Sequence, residues 1–171
     1  MAEIIKYYRQ PMPQTRFIGK RYTESDRKNG YFIDLWQQWI TEGWFRPLSG
    51  FIKDWDFDGS DVPIGLYRHK EGEPMEYWIG RFFPALHAVP EGYESVDFPA
   101  GQLFVCQVRA KGLSLYRQEA FCLPLLAAQG AELAADGEGA FWLFERYEFP
   151  RSRTPDAEGF LTLDYCFYIG E

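Results

Sequence analysis

The sequence predicts an α+β fold built as a tandem βαββ repeat with pseudo-two-fold symmetry, its helices on one face of an antiparallel sheet. Three observations carry that expectation. Six short runs rich in aromatic and β-branched residues are separated by Gly, Pro and charged turns. A helical segment follows the first run of each half. Glycines also recur at matching places: Gly19 and Gly101 interrupt the opening strands, and Gly43 and Gly130 close the two helices. The pairs Glu76-Tyr77 and Asp164-Tyr165, each followed shortly by Ile-Gly, mark a second correspondence.

Taken in order, Thr15–Tyr22 reads as a strand, and the polar turn after it offers capping residues. The helix expected over Tyr31–Glu42 places Phe32, Leu35, Trp36, Trp39 and Ile40 on one stripe, with Asp34, Gln37, Gln38 and Glu42 opposite. Core packing is the simplest role for Trp36 and Trp39. Gly43 is suited to ending this helix. Val62–His69 and Met75–Phe83 read as a hairpin, followed by a Pro- and Gly-bearing linker. The second half repeats the pattern with a strand Phe98–Val108, a helical stretch Leu113–Gln129 that Pro124 kinks or shortens, and strands Phe141–Phe149 and Leu161–Ile169. One domain over residues 1–171 is expected, with repeats at about 15–84 and 96–171.

Composition narrows the function. A net charge of −7 disfavours non-specific binding to phosphate backbones, so no direct nucleic-acid binding is expected. No apolar run approaches the roughly 20 residues that span a bilayer, and no signal peptide is evident. The 3 cysteines, Cys106, Cys122 and Cys166, read as reduced, mostly buried thiols of a cytoplasmic protein. Aromatic residues make up 19% of the chain, more than a core of this size needs, which points to a surface that recognises flat or greasy molecules.

Motifs for metal, cofactor or nucleotide chemistry are missing. His69 and His87 lack partners at ligand spacing. The string Asp54-Trp55-Asp56-Phe57-Asp58-Gly59-Ser60 opens like a calcium loop, but Gly65 stands where the closing glutamate belongs, so a solvated acidic turn is the better reading. No metal and no cofactor are expected. Glu145 stands out instead, interrupting the apolar strand 141–149 on the face it shares with Leu143 and Tyr147. Either an arginine pairs with it, or it is a carboxylate held among rings and attractive to a delocalised cation. By the same alternation Trp78 and Tyr77 point to opposite faces, as do Trp142 and Leu143, and Tyr165 and Cys166.

The two βαββ copies, the helix motif GYFIDLWQQW, the strand EYWIG and the strand FPAG–QLFVCQV resemble the GyrI-like, or effector-binding, domain superfamily from about Thr15 to the C-terminus. The resemblance implies a central groove between the repeats that binds hydrophobic or cationic small molecules. Some members are fused to helix-turn-helix regions of the AraC or MerR kinds. With about sixteen residues before the first expected strand, this chain resembles the stand-alone type. The family pattern of an acidic residue with a tyrosine two positions on matches Glu145 and Tyr147, whereas the family's Ile-Pro-Val ending is replaced by Ile169-Gly170-Glu171.

The leading expectation is therefore a protein that senses or sequesters an aromatic, drug-like cation, with ligand-binding residues Glu145, Tyr147, Trp78, Tyr67, Tyr165 and Phe104. An alternative is a hydrolase of cyclopropane-bearing alkylating natural products, as the resemblance also implies, with Glu145 and Tyr147 catalytic. A third is inhibition of a topoisomerase through a protein–protein contact, which would need an exposed apolar patch.

Overall fold

The computed structural model describes residues 1–171 except Phe51, Asp54, Asp56, Asp58 and Ser60. The carboxylates of the calcium-like string thus lie outside the described residues. The strands are β1 (Glu3–Met12), β2 (Thr15–Thr23), β3 (Ile64–Lys70), β4 (Glu76–Pro84), β5 (Glu94–Phe98), β6 (Gly101–Ala110), β7 (Ala140–Arg146) and β8 (Leu161–Gly170). Two helices, α1 (Ile33–Glu42) and α2 (Glu119–Ala128), complete an α+β fold. All eight strands join one antiparallel sheet in the order β1-β6-β8-β7-β3-β4-β2-β5.

The alternation of side chains assigns each face. Ile79, Gly65, Glu145, Tyr165 and Cys106 lie directly opposite one another on successive strands and so share a face. Both helices pack there. Phe32 and Trp39 join Ile79, Tyr77 and Ile18, while Cys122 and Leu126 of α2 join Tyr165, Cys106 and Phe167.

The other face closes on itself. Trp78, Phe82, Leu66, Trp142, Phe144, Phe17, Phe98, Leu103 and Tyr168 form one cluster with no contribution from α1 or α2. The rings of Phe98 and Trp142 are 4.1 Å apart, although β5 and β7 are separated by four strand spacings of about 4.8 Å. Only a strongly curled sheet brings them together. Gly19 and Gly80 face each other across β2 and β4, where a Cβ on Gly19 would lie 2.0 Å from the Ile79 carbonyl oxygen. These two positions therefore need glycine for close backbone approach.

Two strands were absent from the sequence reading. β1 precedes the first expected strand and pairs with β6 from Glu3↔Arg109 to Met12↔Gly101. It is an edge strand with mostly exposed side chains and a proline at Pro11, so its pattern carries little hydrophobic signal. β5 takes the end of the expected linker together with Phe98, which was read as the start of the next strand, and it edges β2, burying only Phe98. The second helical stretch is shorter than expected. Gly112–Leu115 forms a 3-10 turn, and Arg117 at φ 62° interrupts the helical path before α2 begins. Pro124 lies inside α2 without ending it. The expected strand 141–149 stops at Arg146, although the Tyr147 N–H still donates to the Pro63 carbonyl at 3.1 Å. Gly43 ends α1 in the left-handed conformation at φ 70°.

Candidate functional site

On the helix-bearing face a cavity of about 300 Å³ opens between α1 on one side and, on the other, the turn before α2 and the β7–β8 connection. Its floor is the joint between β3, β4 and β7, presenting Tyr67, Tyr77 and Glu145, with Tyr147 just beyond β7. One wall is α1, through Phe32, Ile33, Trp36, Gln37 and Ile40. The opposite wall holds Tyr116, Arg117, Phe149, Ser152 and Arg153.

The rings form a continuous lining because each one is fixed by another. Phe32 and Tyr77 stack at 3.9 Å with an interplanar angle of 1°, and Tyr67 meets Tyr77 edge-on at 4.7 Å. The Trp36 indole lies 4.5 Å from the Tyr147 ring and donates its N–H to the Tyr77 hydroxyl at 2.8 Å. Trp36 is therefore a wall of the cavity, whereas Trp39 is fully buried and donates to Tyr22 at 2.9 Å. The expected core role holds for Trp39 alone.

Gly65 makes this arrangement possible. A Cβ there would stand 2.4 Å from the Tyr77 hydroxyl and 3.2 Å from the Trp36 ring. Without it, both rings descend onto the strand beside Glu145, which is the direct cross-strand partner of Gly65.

Glu145 is 4% exposed and accepts a hydrogen bond from the Tyr147 hydroxyl at 2.5 Å. Burial pushes its carboxyl up to about 8. Hydrogen bonds from Tyr147 and Tyr67 and the charge of Arg27 work against this rise, and the charge of Glu119 adds to it. The phenols of Tyr67, Tyr77 and Tyr147 are raised by burial first and by Glu145 next, so they remain neutral donors.

The other buried acids of the described residues are paired with arginine. Asp164 meets Arg146 at 2.9 Å, and Asp136 meets Arg68 at 3.3 Å. Glu145 has no such ion pair among the described residues. Arg146, the neighbouring arginine, thus pairs with Asp164 on the opposite face and not with Glu145.

Of the residues singled out from sequence, Glu145, Tyr147 and Tyr67 come together in the cavity. Tyr165 lies on the same face beside Glu145 but is fully buried beneath the wall. Its hydroxyl donates to the Leu115 carbonyl at 2.7 Å and accepts from the Gln118 N–H at 3.3 Å, anchoring the segment that carries Tyr116 and Arg117. Trp78 does not line the cavity, because strand alternation sends it into the self-closed core. Phe104 also lies outside it, packed under α2 and against Tyr7 at 6.0 Å. Sequence reasoning missed Tyr31, Tyr77, Tyr116, Arg117 and Arg153 as lining residues. For Tyr77 the alternation with Trp78 was the available signal.

Neither a family model nor a curated protein matches the chain by sequence. Solved structures do match its fold. The chain is similar to a putative bacterial transcription regulation protein from Staphylococcus aureus MU50, with TM-score 0.64 and 14% identity over 97% of this chain and 99% of that one. It is similar to SAV2435 bound to tetraphenylphosphonium, with TM-score 0.65 and 15% identity over 96% and 94% of the two chains. It is also similar to the C-terminal domain of EcmrR, with TM-score 0.61 and 10% identity over 97% and 98%. At these identities the likeness establishes the fold. No helix among the described residues is long and apolar enough to cross a membrane.

Proposed function

We propose that this protein is a GyrI-like small-molecule-binding domain that takes a drug-like aromatic cation into the cavity, with Glu145 as its buried counter-charge. The observation that carries the reading is the unpaired carboxylate on an aromatic floor. Burying a carboxylate without a cation costs several kcal/mol, and here the site holds it neutral near pH 7. A ligand cation supplies the missing partner, while the tyrosine and tryptophan faces add cation–π attraction. The binding of a phosphonium cation by SAV2435, a protein of similar fold, supports the same chemistry.

The tandem-repeat reading is supported by the strand order. Exchanging β1–β4 with β5–β8 reproduces that order in reverse, and the cavity floor lies where β3 meets β7. On this reading each repeat is ββαββ rather than βαββ, with the first strands β1 and β5 exchanged between halves. Three buried cysteines free of disulfides accord with a cytoplasmic location.

A second reading, hydrolysis within the same cavity, is favoured by one feature. A carboxyl near neutrality in a 2.5 Å hydrogen bond to Tyr147 suits proton transfer.

The test is a titration at pH 8 with tetraphenylphosphonium, followed by tryptophan fluorescence, to which Trp36 in the cavity wall contributes, and by mass spectrometry of the recovered ligand. Saturable quenching should weaken at least about tenfold in Glu145→Gln, equivalent to 1.4 kcal/mol. Unchanged affinity in the variant would remove Glu145 from the reading. For turnover, cyclopropane-bearing alkylators take the place of the phosphonium, and a product gaining one water would establish the hydrolase.

A further inference from the structure

Two guanidinium groups at the mouth of the cavity have no place in a site built only for a cation. Arg117 and Arg153 both line it, and both are exposed. Neither forms an ion pair among the described residues. Arginine on this protein is otherwise commonly matched: Arg16 to Asp97, Arg68 to Asp136, Arg81 to Asp61, Arg109 to Asp156, Arg146 and Arg151 to Asp164.

Arg117 is also held in position. Its backbone takes the left-handed conformation at φ 62°, which a non-glycine residue adopts at a cost. Its guanidinium packs against Gly30, where a Cβ would lie 2.7 Å from Nη1, and over the Tyr31 ring at 5.8 Å. The segment beneath it is pinned by the Tyr165 hydroxyl. The result is an oriented five-donor fork facing the cavity.

Resting on the reading of the cavity given above, we propose that the preferred ligand is zwitterionic: an aromatic cation that reaches Glu145 and also bears a carboxylate or similar anionic group, which Arg117 and Arg153 hold at the mouth. A cation alone meets repulsion from both arginines on entry. An anionic substituent converts that repulsion into two charge-assisted hydrogen-bonding sites. The pair also explains how a domain of net charge −7 admits an anionic group at all.

The experiment compares two dyes with one ring system, rhodamine 123, a cationic methyl ester, and rhodamine 110, its free acid, at pH 8 and low salt. The wild-type protein should bind the acid roughly fivefold or more tightly than the ester, the range expected for two partly solvated ion pairs. Added salt should shrink the difference. Arg117→Gln and Arg153→Gln should each reduce the preference for the acid, with thermal melts reporting an intact fold. If Arg117→Gln loses both dyes, Arg153→Gln decides. Equal affinity for the two dyes, tighter binding of the ester, or a preference that survives both substitutions overturns the proposal and leaves the cation site standing. Failure of both dyes to bind overturns the cation reading and the proposal together.

Discussion

Gly65 and Glu145 are direct cross-strand partners at the joint of β3 and β7, so a residue without a side chain lies beside the one carboxylate that lines the cavity among the described residues. The missing side chain is what allows Trp36 and Tyr77 to close over Glu145. Gly65→Ala should therefore push both rings outward. We expect a loss of stability of about 1–3 kcal/mol from overpacking, together with weaker cation binding. Urea unfolding and ligand titration on the same variant check the two effects, and normal affinity would mean the rings do not depend on Gly65.

Stability should fall as pH rises because of Glu145. Its folded-state carboxyl titrates at about 8, above the ordinary 4.5. Between those values the folded chain keeps a proton that the unfolded chain has released, so the folded state loses ground through that window, by up to about 1.4 kcal/mol per pH unit. Glu145→Gln has no such group. Its stability relative to wild type should grow from pH 5 to pH 9 and level off beyond, as read from denaturation midpoints. A constant difference would show that Glu145 is ionised throughout.

Cation binding at pH 7 should expel that proton. The incoming charge favours the carboxylate, against the burial and the Glu119 charge that oppose it. Titration calorimetry in phosphate and in Tris should give different apparent enthalpies, corresponding to nearly one proton released. Affinity should rise between pH 6 and pH 8. Identical enthalpies in the two buffers would contradict a neutral resting Glu145.

Tyr147 and Trp78 should separate cleanly. Tyr147→Phe removes the hydroxyl donor to Glu145, so it should weaken cation binding several-fold with little loss of fold. Trp78→Phe should lower stability through the self-closed core and leave ligand affinity unchanged. Thermal melts paired with titrations test both, and a Trp78 variant with altered affinity would place the ligand elsewhere.

The strands with buried faces were legible in the sequence because alternation reports burial. Edge strands were not: β1 and β5 take their conformation from the hydrogen bonds of β6 and β2, and most of their side chains remain in water. The second helix is apolar nearly all round, so no stripe marked where it begins, and the turn at Arg117 left no hydrophobic trace. The site divided similarly. Glu145 and Tyr147 share a face by strand arithmetic, and that arithmetic also separated Trp78 from Tyr77, whereas the place of Tyr67 beside them rests on the pairing of β3 with β7. It could not show that Tyr165 would be spent anchoring a turn, or that Arg117 would swing over Tyr31, because both depend on how loops pass over the sheet.

The curled core contains no residue of either helix, and this has a consequence for evolvability. The packing of that side of the sheet is independent of α1 and α2, whereas the cavity is lined by α1 and by the segments around Arg117 and Arg153, on the other side. Substitutions in that roof alter the cavity lining without touching the packing of Phe98 on Trp142. A scaffold with this plan can vary the lining of its cavity while keeping the curled core intact.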